Sequence, residues 1–232
     1  MIFSAIFLID RYMRCILPIL GVFIASTTGI LAETSQYSPK EALDMLMQGN
    51  QRYMSGKPSH SDVGSFHREE LVNGQTPIAV IVSCSDSRVS PEIIFDQGLG
   101  DTFVVRLAGN VIGPLEIESI LYGADALATP LIIVLGHSNC GAVKAAMTGG
   151  EAIRDIPEIA KKLAPAFKAL KHLKEEHKQT PTLEEAIKTN VKYVRDQLRA
   201  IPLLAQFVEE KRLSILGGFY DLEDGKVSLL NN

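Results

Sequence analysis

The chain has 232 residues, 46% of them hydrophobic, and a formal net charge of −4. That length and apolar share suit one sizeable buried core and exclude a disordered chain. No basic run interleaved with aromatic residues occurs, which excludes nucleic acid as a partner.

The front of the chain stands apart. Arg11 and Arg14 precede or open an apolar segment over 15–25, followed by Ser26-Thr27-Thr28-Gly29 and then Ile30-Leu31-Ala32. A positive start, a short apolar core and a small final residue make a secretory signal pattern. Residues 1–32 are therefore expected to be a signal peptide cleaved after Ala32, with Met13 as an alternative start. Pro18, Gly21 and Ser26 interrupt the apolar segment, which is short for a spanning helix. No stable membrane span is expected after its removal, and the product is expected to be exported, periplasmic or secreted. Cys15 leaves with the signal, so Cys84 and Cys140 are the cysteines that stay. On spacing alone, a disulfide and a shared metal both remain open for that pair.

Residues 33–232 read as one domain without repeats, low-complexity segments or interior linkers. Ser38-Pro39-Lys40-Glu41 is a helix start with a Ser cap, an early Pro and a Glu three residues after the cap. That helix is expected over 38–55, with Ala42, Met45, Leu46, Gly49 and Tyr53 on one face. A polar loop then carries His60 and His67, neither next to a cysteine, and both read as ordinary histidines rather than ligands. A short helix near 67–72 leads into the apolar run Ile78-Ala79-Val80-Ile81-Val82. Ser90-Pro91-Glu92 starts another helix, residues 103–106 form a strand, and Gly113-Pro114 opens a helix that turns Ile117, Ile120, Leu121 and Ala124 to the sheet. A third strand over 131–136 delivers His137, and Cys140-Gly141-Ala142 opens the next helix. Residues 157–177 read as helical with a break or restart at Pro165. His172 and His177 lie there among Lys171, Lys174, Glu175 and Glu176, a solvated face. Thr182-Leu183-Glu184-Glu185 is a capping box for a helix with Ile187, Val191, Val194 and Leu198 inward. Pro202 starts a shorter helix, and 213–220 is expected to be the final strand.

Two clusters carry the chemistry. Cys84-Ser85-Asp86-Ser87-Arg88 follows the first core strand, and Gly136-His137-Ser138-Asn139-Cys140-Gly141 follows the third. Continuous β-branched runs bounded by turn residues read as buried parallel strands. Both clusters then sit at carboxyl strand ends, where open α/β sheets place ligands. Two thiols and one imidazole with room for a fourth ligand form the pattern of a catalytic zinc. Asp86 is placed to be the fourth ligand or to accept a proton from water at the site. Arg88 is placed to hold Asp86 bidentately and keep it ionised.

Those paired clusters resemble the β-class carbonic anhydrases. The resemblance extends to Gly74-Gln75-Thr76-Pro77, Phe103-Val104-Val105-Arg106, Ala108-Gly109-Asn110 and Gly217-Gly218-Phe219-Tyr220-Asp221, covering residues 38–230. It implies one zinc per chain held by Cys84, His137 and Cys140, with Asp86 and Arg88 as the catalytic dyad. It also implies a plant-type substrate pocket in which Gln75 donates to carbon dioxide or bicarbonate and Phe103 and Tyr122 line the walls. Leu107 stands where the family commonly has Asn, and Ala108 replaces a larger aliphatic residue. The implied fold is an α/β domain with a mostly parallel central sheet flanked by helices and an N-terminal helical arm. The family's arm packs on a partner subunit and its active sites form at a dimer interface, so a homodimer or higher even homo-oligomer is implied.

The activity implied is reversible hydration of carbon dioxide to bicarbonate and a proton. Hydrolysis of carbon disulfide on the same scaffold, and non-catalytic bicarbonate binding by a zinc protein, are the competing readings. A switchable type within the family uses a Trp-containing bicarbonate site and moves the aspartate onto the metal. This chain has no Trp.

Overall fold

The computed structural model describes residues 35–59, 63–176 and 179–231. The expected signal peptide, His60 and His177 lie outside the described residues. The first helix, α1 (Pro39–Met54), begins at the expected cap: Ser38 accepts from Glu41 N–H, and the Glu41 carboxylate returns to Ser38 N–H at 2.8 Å. Helix α2 (Ser65–Glu70) follows and carries His67, which contacts Glu70 and the Leu99 carbonyl rather than a thiol. Next come β1 (Ala79–Ser83), α3 (Pro91–Ile94), β2 (Thr102–Arg106) and α4 (Pro114–Asp125). Strand β3 (Leu131–His137) leads into α5 (Gly141–Thr148), α6 (Pro157–Glu176) and α7 (Leu183–Arg199). Helix α8 (Pro202–Glu209), β4 (Ser214–Tyr220) and β5 (Val227–Leu229) finish the fold.

The five strands lie in the order β2-β1-β3-β4-β5. The first four run parallel, and β5 returns antiparallel along β4. Every residue of β1 and β3 is buried, as continuous apolar strands covered on both faces must be. The alternation of the pleat splits them into two cores. Ala79, Ile81, Leu131, Ile133 and Leu135 face α1 and α3, while Val80, Val82, Ile132 and Val134 face α4, α7 and α8. The sheet is mostly parallel and helix-flanked, with the N-terminal helix in place.

That helix is tied to its own chain. Ala42 and Leu46 are fully buried in the first core, and buried Asn50 makes three long-range bonds. Its Nδ2 donates to the carbonyls of Ile94 and Gly225 at 3.1 and 2.9 Å, and its Oδ1 accepts from Val227 N–H at 2.9 Å.

Two sequence expectations are corrected. Helix α6 runs through Pro165 without a break. Proline removes a single N–H donor there, the one for the Lys161 carbonyl, and Lys161 and Pro165 both lie on the exposed side of the helix, where solvent can satisfy an unpaired acceptor. The strand ending at Tyr220 is not the last. β5 has only Val227, Ser228 and Leu229, too few residues to show a period of two. Among the described residues no helix is long and apolar enough to cross a membrane.

Helix α7 approaches the sheet closely because of glycine. A Cβ at Gly136 would stand 2.5 Å from Val191 Cγ2 and 2.9 Å from Ile187 Cγ2. Burial of Ile187, Val191, Val194 and Leu198 contributes roughly 1.5–3 kcal/mol each. The same close approach sets the inward Asn190 against the loop after β2.

Candidate metal centre

Strand β1 has β2 on one side and β3 on the other, so the order of connection reverses between β1 and β3. A crevice opens at the carboxyl ends of strands at such a switch point. Cys84 directly follows β1, His137 ends β3, and Cys140 caps α5 three residues later. The tight turn between them is carried by Asn139 at φ 56°, a left-handed conformation that Asn tolerates. Ser138 anchors the turn on β4's end: its N–H donates to the Tyr220 carbonyl, and its hydroxyl accepts from Leu222 N–H at 2.8 Å.

One ligand atom from each of Cys84, His137 and Cys140 lies within 4.8 Å of the other two, and all three residues are buried. The thiols are free, with sulfurs 4.0 Å apart. A disulfide needs ~2.05 Å. Two sulfurs at ~2.3 Å from a tetrahedral zinc stand ~3.8 Å apart, close to the observed spacing. His137 supplies the second part of the fit. Its Nδ1 lies 2.9 Å from the Ser138 carbonyl, a contact that assigns the ring proton to Nδ1. Nε2 is then an acceptor, and it is buried with no hydrogen-bond partner. A buried, unpartnered imidazole nitrogen grouped with two free thiols suits a soft cation, so the donor set fits zinc.

The two thiols share their protons unequally. Cys84 is pulled well down, first by its hydrogen bond with Cys140, then by His137 and by the N–H groups of Gly109 and Asp86, against its burial. Cys140 is pushed up, first by that same shared bond and then by burial beside the Cys84 charge. A cation between them favours the thiolate form of both.

Asp86 stands at the crevice mouth, its Oδ2 3.9 Å from His137 Nε2. Arg88 grips it with Nε to Oδ1 at 2.9 Å and Nη2 to Oδ2 at 2.7 Å, and Arg88 N–H also donates to Oδ1 at 3.0 Å. These bonds, the side-chain ones foremost, hold the Asp86 carboxyl well below the usual carboxylate range.

Sequence reasoning missed several supporting residues. Arg106, the last residue of β2, donates from Nε to the Cys84 carbonyl at 3.0 Å and from Nη2 to the Asp86 carbonyl at 2.8 Å. It ties the thiol and the carboxylate into one rigid loop. Ser85 N–H to the Leu107 carbonyl and Leu107 N–H to the Ser83 carbonyl continue the tie, and Leu107 itself packs against the apolar cluster around both thiols. A signal did exist, since a charged Arg ends an otherwise apolar strand opposite the Cys84 cluster.

The three pocket residues fall elsewhere within one protomer. Phe103 is paired with Val80, four residues before Cys84, which is ~13 Å back along the strand. Tyr122 on α4 is exposed, its ring centroid 6.1 Å from that of Phe103. Gln75 is exposed in the segment leading to β1. The structure thus brings Phe103 and Tyr122 together, but at the amino ends of the strands, opposite the thiols.

A family model described as "Carbonic anhydrase" matches residues 79–227. Carbonic anhydrase 2 of Mycobacterium tuberculosis is 37% identical over 203 residues, covering 83% of this chain and 93% of its own. The carbonic anhydrase of Mycolicibacterium smegmatis is 40% identical over 200 residues, with the same coverage of 83% and 93%. Among solved structures, the β-carbonic anhydrase CcaA superposes with a TM-score of 0.66 at 28% identity, over 82% of this chain and 95% of that chain. Sheet, thiol pair and likenesses agree, and the chain belongs to the β-carbonic anhydrase family.

Proposed function

We propose that the chain, a carbonic anhydrase by family, performs zinc-dependent reversible hydration of carbon dioxide to bicarbonate and a proton. The observation that carries the zinc reading is the unpartnered, buried His137 Nε2 facing two free thiols 4.0 Å apart. Cys84, His137 and Cys140 would hold the ion. Zinc held by three protein ligands acidifies water and polarises a carbonyl at its open position.

The chain's own residues do the remainder. Ser138 fixes the tautomer of His137 through its carbonyl. Asp86, ionised and turned toward the crevice, accepts a hydrogen bond from water there through Oδ2 and so orients its attack. Arg88 occupies both carboxylate oxygens and keeps Asp86 from swinging inward onto the ligand set.

Gln75, Phe103 and Tyr122 act as substrate-pocket residues for a neighbouring subunit's centre. The support is their distance from their own thiols, the exposure of Tyr122 and the free edge of β2. The assembly is a homodimer or a higher even homo-oligomer. Residues 1–32 act as an export signal, supported by Arg11 and Arg14 ahead of the apolar segment.

The test is stopped-flow carbon dioxide hydration by purified protein, before and after chelation. Activity should fall with removal of the metal and return with added zinc. Cys140→Ala should lose metal and hydration together. Full activity in a metal-free sample would overturn the reading.

A further inference from the structure

The inward face of α7 is apolar except at Asn190 and Arg195. Asn190 is fully buried between turns that carry Ile187 and Val194, and its Oδ1 has no partner. An unpaired buried amide oxygen is costly, and an apolar residue would fold more favourably at that position. Its other end is used: Nδ2 donates to the Gly109 carbonyl at 2.9 Å. Gly109 in turn donates its N–H to Cys84 Sγ at 3.3 Å.

Gly109 holds this pose at φ 71°, which glycine adopts without strain, inside the short turn over 108–110. Asn110 N–H to the Leu107 carbonyl at 2.9 Å closes that turn on its other side. The Gly109–Asn110 peptide is thus held by Asn190 from the helix on its carbonyl and by Leu107, the residue after β2, on its N–H, and the glycine is anchored beside Cys84.

We propose that Asn190 is a positioning residue for the reaction: it fixes Gly109 so that the Gly109 N–H is aimed at the Cys84 sulfur. The inference rests on the reading of Cys84 as a metal ligand. A donated N–H withdraws charge from a thiolate, so the sulfur gives less electron density to a bound cation, which stays more acidic. The bond also holds the sulfur's direction toward His137 and Cys140.

The test uses Asn190→Leu in the cobalt-substituted and zinc-loaded protein, with Val194→Ala as control. Val194 is buried one turn on and packs in the apolar cluster of Val80 and Ile132, not in the cluster that holds both thiols, so its truncation loosens the helix elsewhere. The expected result is a shift of the thiolate-to-cobalt charge-transfer band to lower energy, with metal dissociation raised ~10-fold or more. The pH midpoint of hydration should rise. In Val194→Ala the band and the midpoint should stay in place even as thermal stability falls. An unmoved band in Asn190→Leu, or an equal change in both variants, would overturn the proposal.

Should Asn190→Leu fail to fold, wild-type protein loaded with a spin-½ cadmium isotope gives a second reading. A scalar coupling between the Gly109 amide proton and the metal supports the bond in the loaded site, and its absence overturns it. Wild-type protein that takes up no cation at all would instead overturn the metal-centre reading beneath it.

Discussion

Arg88 closes on Asp86 with two parallel hydrogen bonds, Nε to Oδ1 at 2.9 Å and Nη2 to Oδ2 at 2.7 Å. The pair is a clamp on orientation, because the carboxylate would be ionised near neutral pH even without it. Arg88→Ala should therefore keep the metal yet lower hydration by ~10²–10⁴-fold, as should Asp86→Asn. Metal analysis beside stopped-flow rates checks this. Wild-type rates in a metal-replete variant would remove the dyad from the mechanism.

The same clamp sets an expectation for pH. Asp86 has a depressed folded value, so its contribution to stability is present above the unfolded carboxylate value and is lost only as pH falls through the lower folded one. It does not titrate near neutral pH, and an Asp86 swung inward would forfeit both side-chain bonds to Arg88. Rate against pH should follow one ionisation without cooperative inhibition by bicarbonate. In Arg88→Ala the curve should drop while keeping its midpoint, since Asp86 returns only toward ~3.9. A Hill slope clearly above one would place the chain in the switchable type despite its lack of Trp.

Much of the site was legible because it is written in short motifs at strand ends. Cys84, Asp86, Arg88, His137 and Cys140 each lie within a few residues of an apolar run, and local spacing reports local geometry. What stayed hidden depends on contacts across the fold. Arg106 reaches back over 20 and 22 residues to Asp86 and Cys84, and Asn190 acts on Gly109 across 81. Gln75, Phe103 and Tyr122 were assigned to the pocket by resemblance, although Gln75 precedes the first core strand and Phe103 opens the second, the end away from the thiols. Strand direction already set Gln75 and Phe103 apart from the cysteines, and the register of Phe103 against Val80 gives the distance. The Pro165 expectation failed because exposure decides whether an unpaired carbonyl matters, and a proline in isolation does not show exposure.

Asn50 makes a prediction about the fold alone. Asn50→Ala leaves the carbonyls of Ile94 and Gly225 and the N–H of Val227 without their partner. Unpaired buried groups cost ~1–3 kcal/mol each, partly relieved by relaxation, so a loss of about 2–4 kcal/mol is expected. A urea titration should show a lower midpoint at unchanged slope, with metal stoichiometry preserved. A loss under ~0.5 kcal/mol would mean that Asn50 does not fasten α1 to β5.

The export reading predicts a new amino terminus. Intact mass of protein from the soluble exported fraction should correspond to a chain beginning at Glu33. A full-length, membrane-bound species would show instead that the apolar segment over 15–25 is retained as an anchor.

Cys84, His137 and Cys140 are proposed to hold a zinc ion with one position left for solvent. Zinc K-edge absorption of the purified, active protein reads that shell directly. The spectrum should show about one zinc per chain with two sulfurs at ~2.3 Å and two nitrogen or oxygen neighbours at ~2.0–2.1 Å. A fully active protein without zinc, or a zinc shell containing no sulfur, would contradict that assignment.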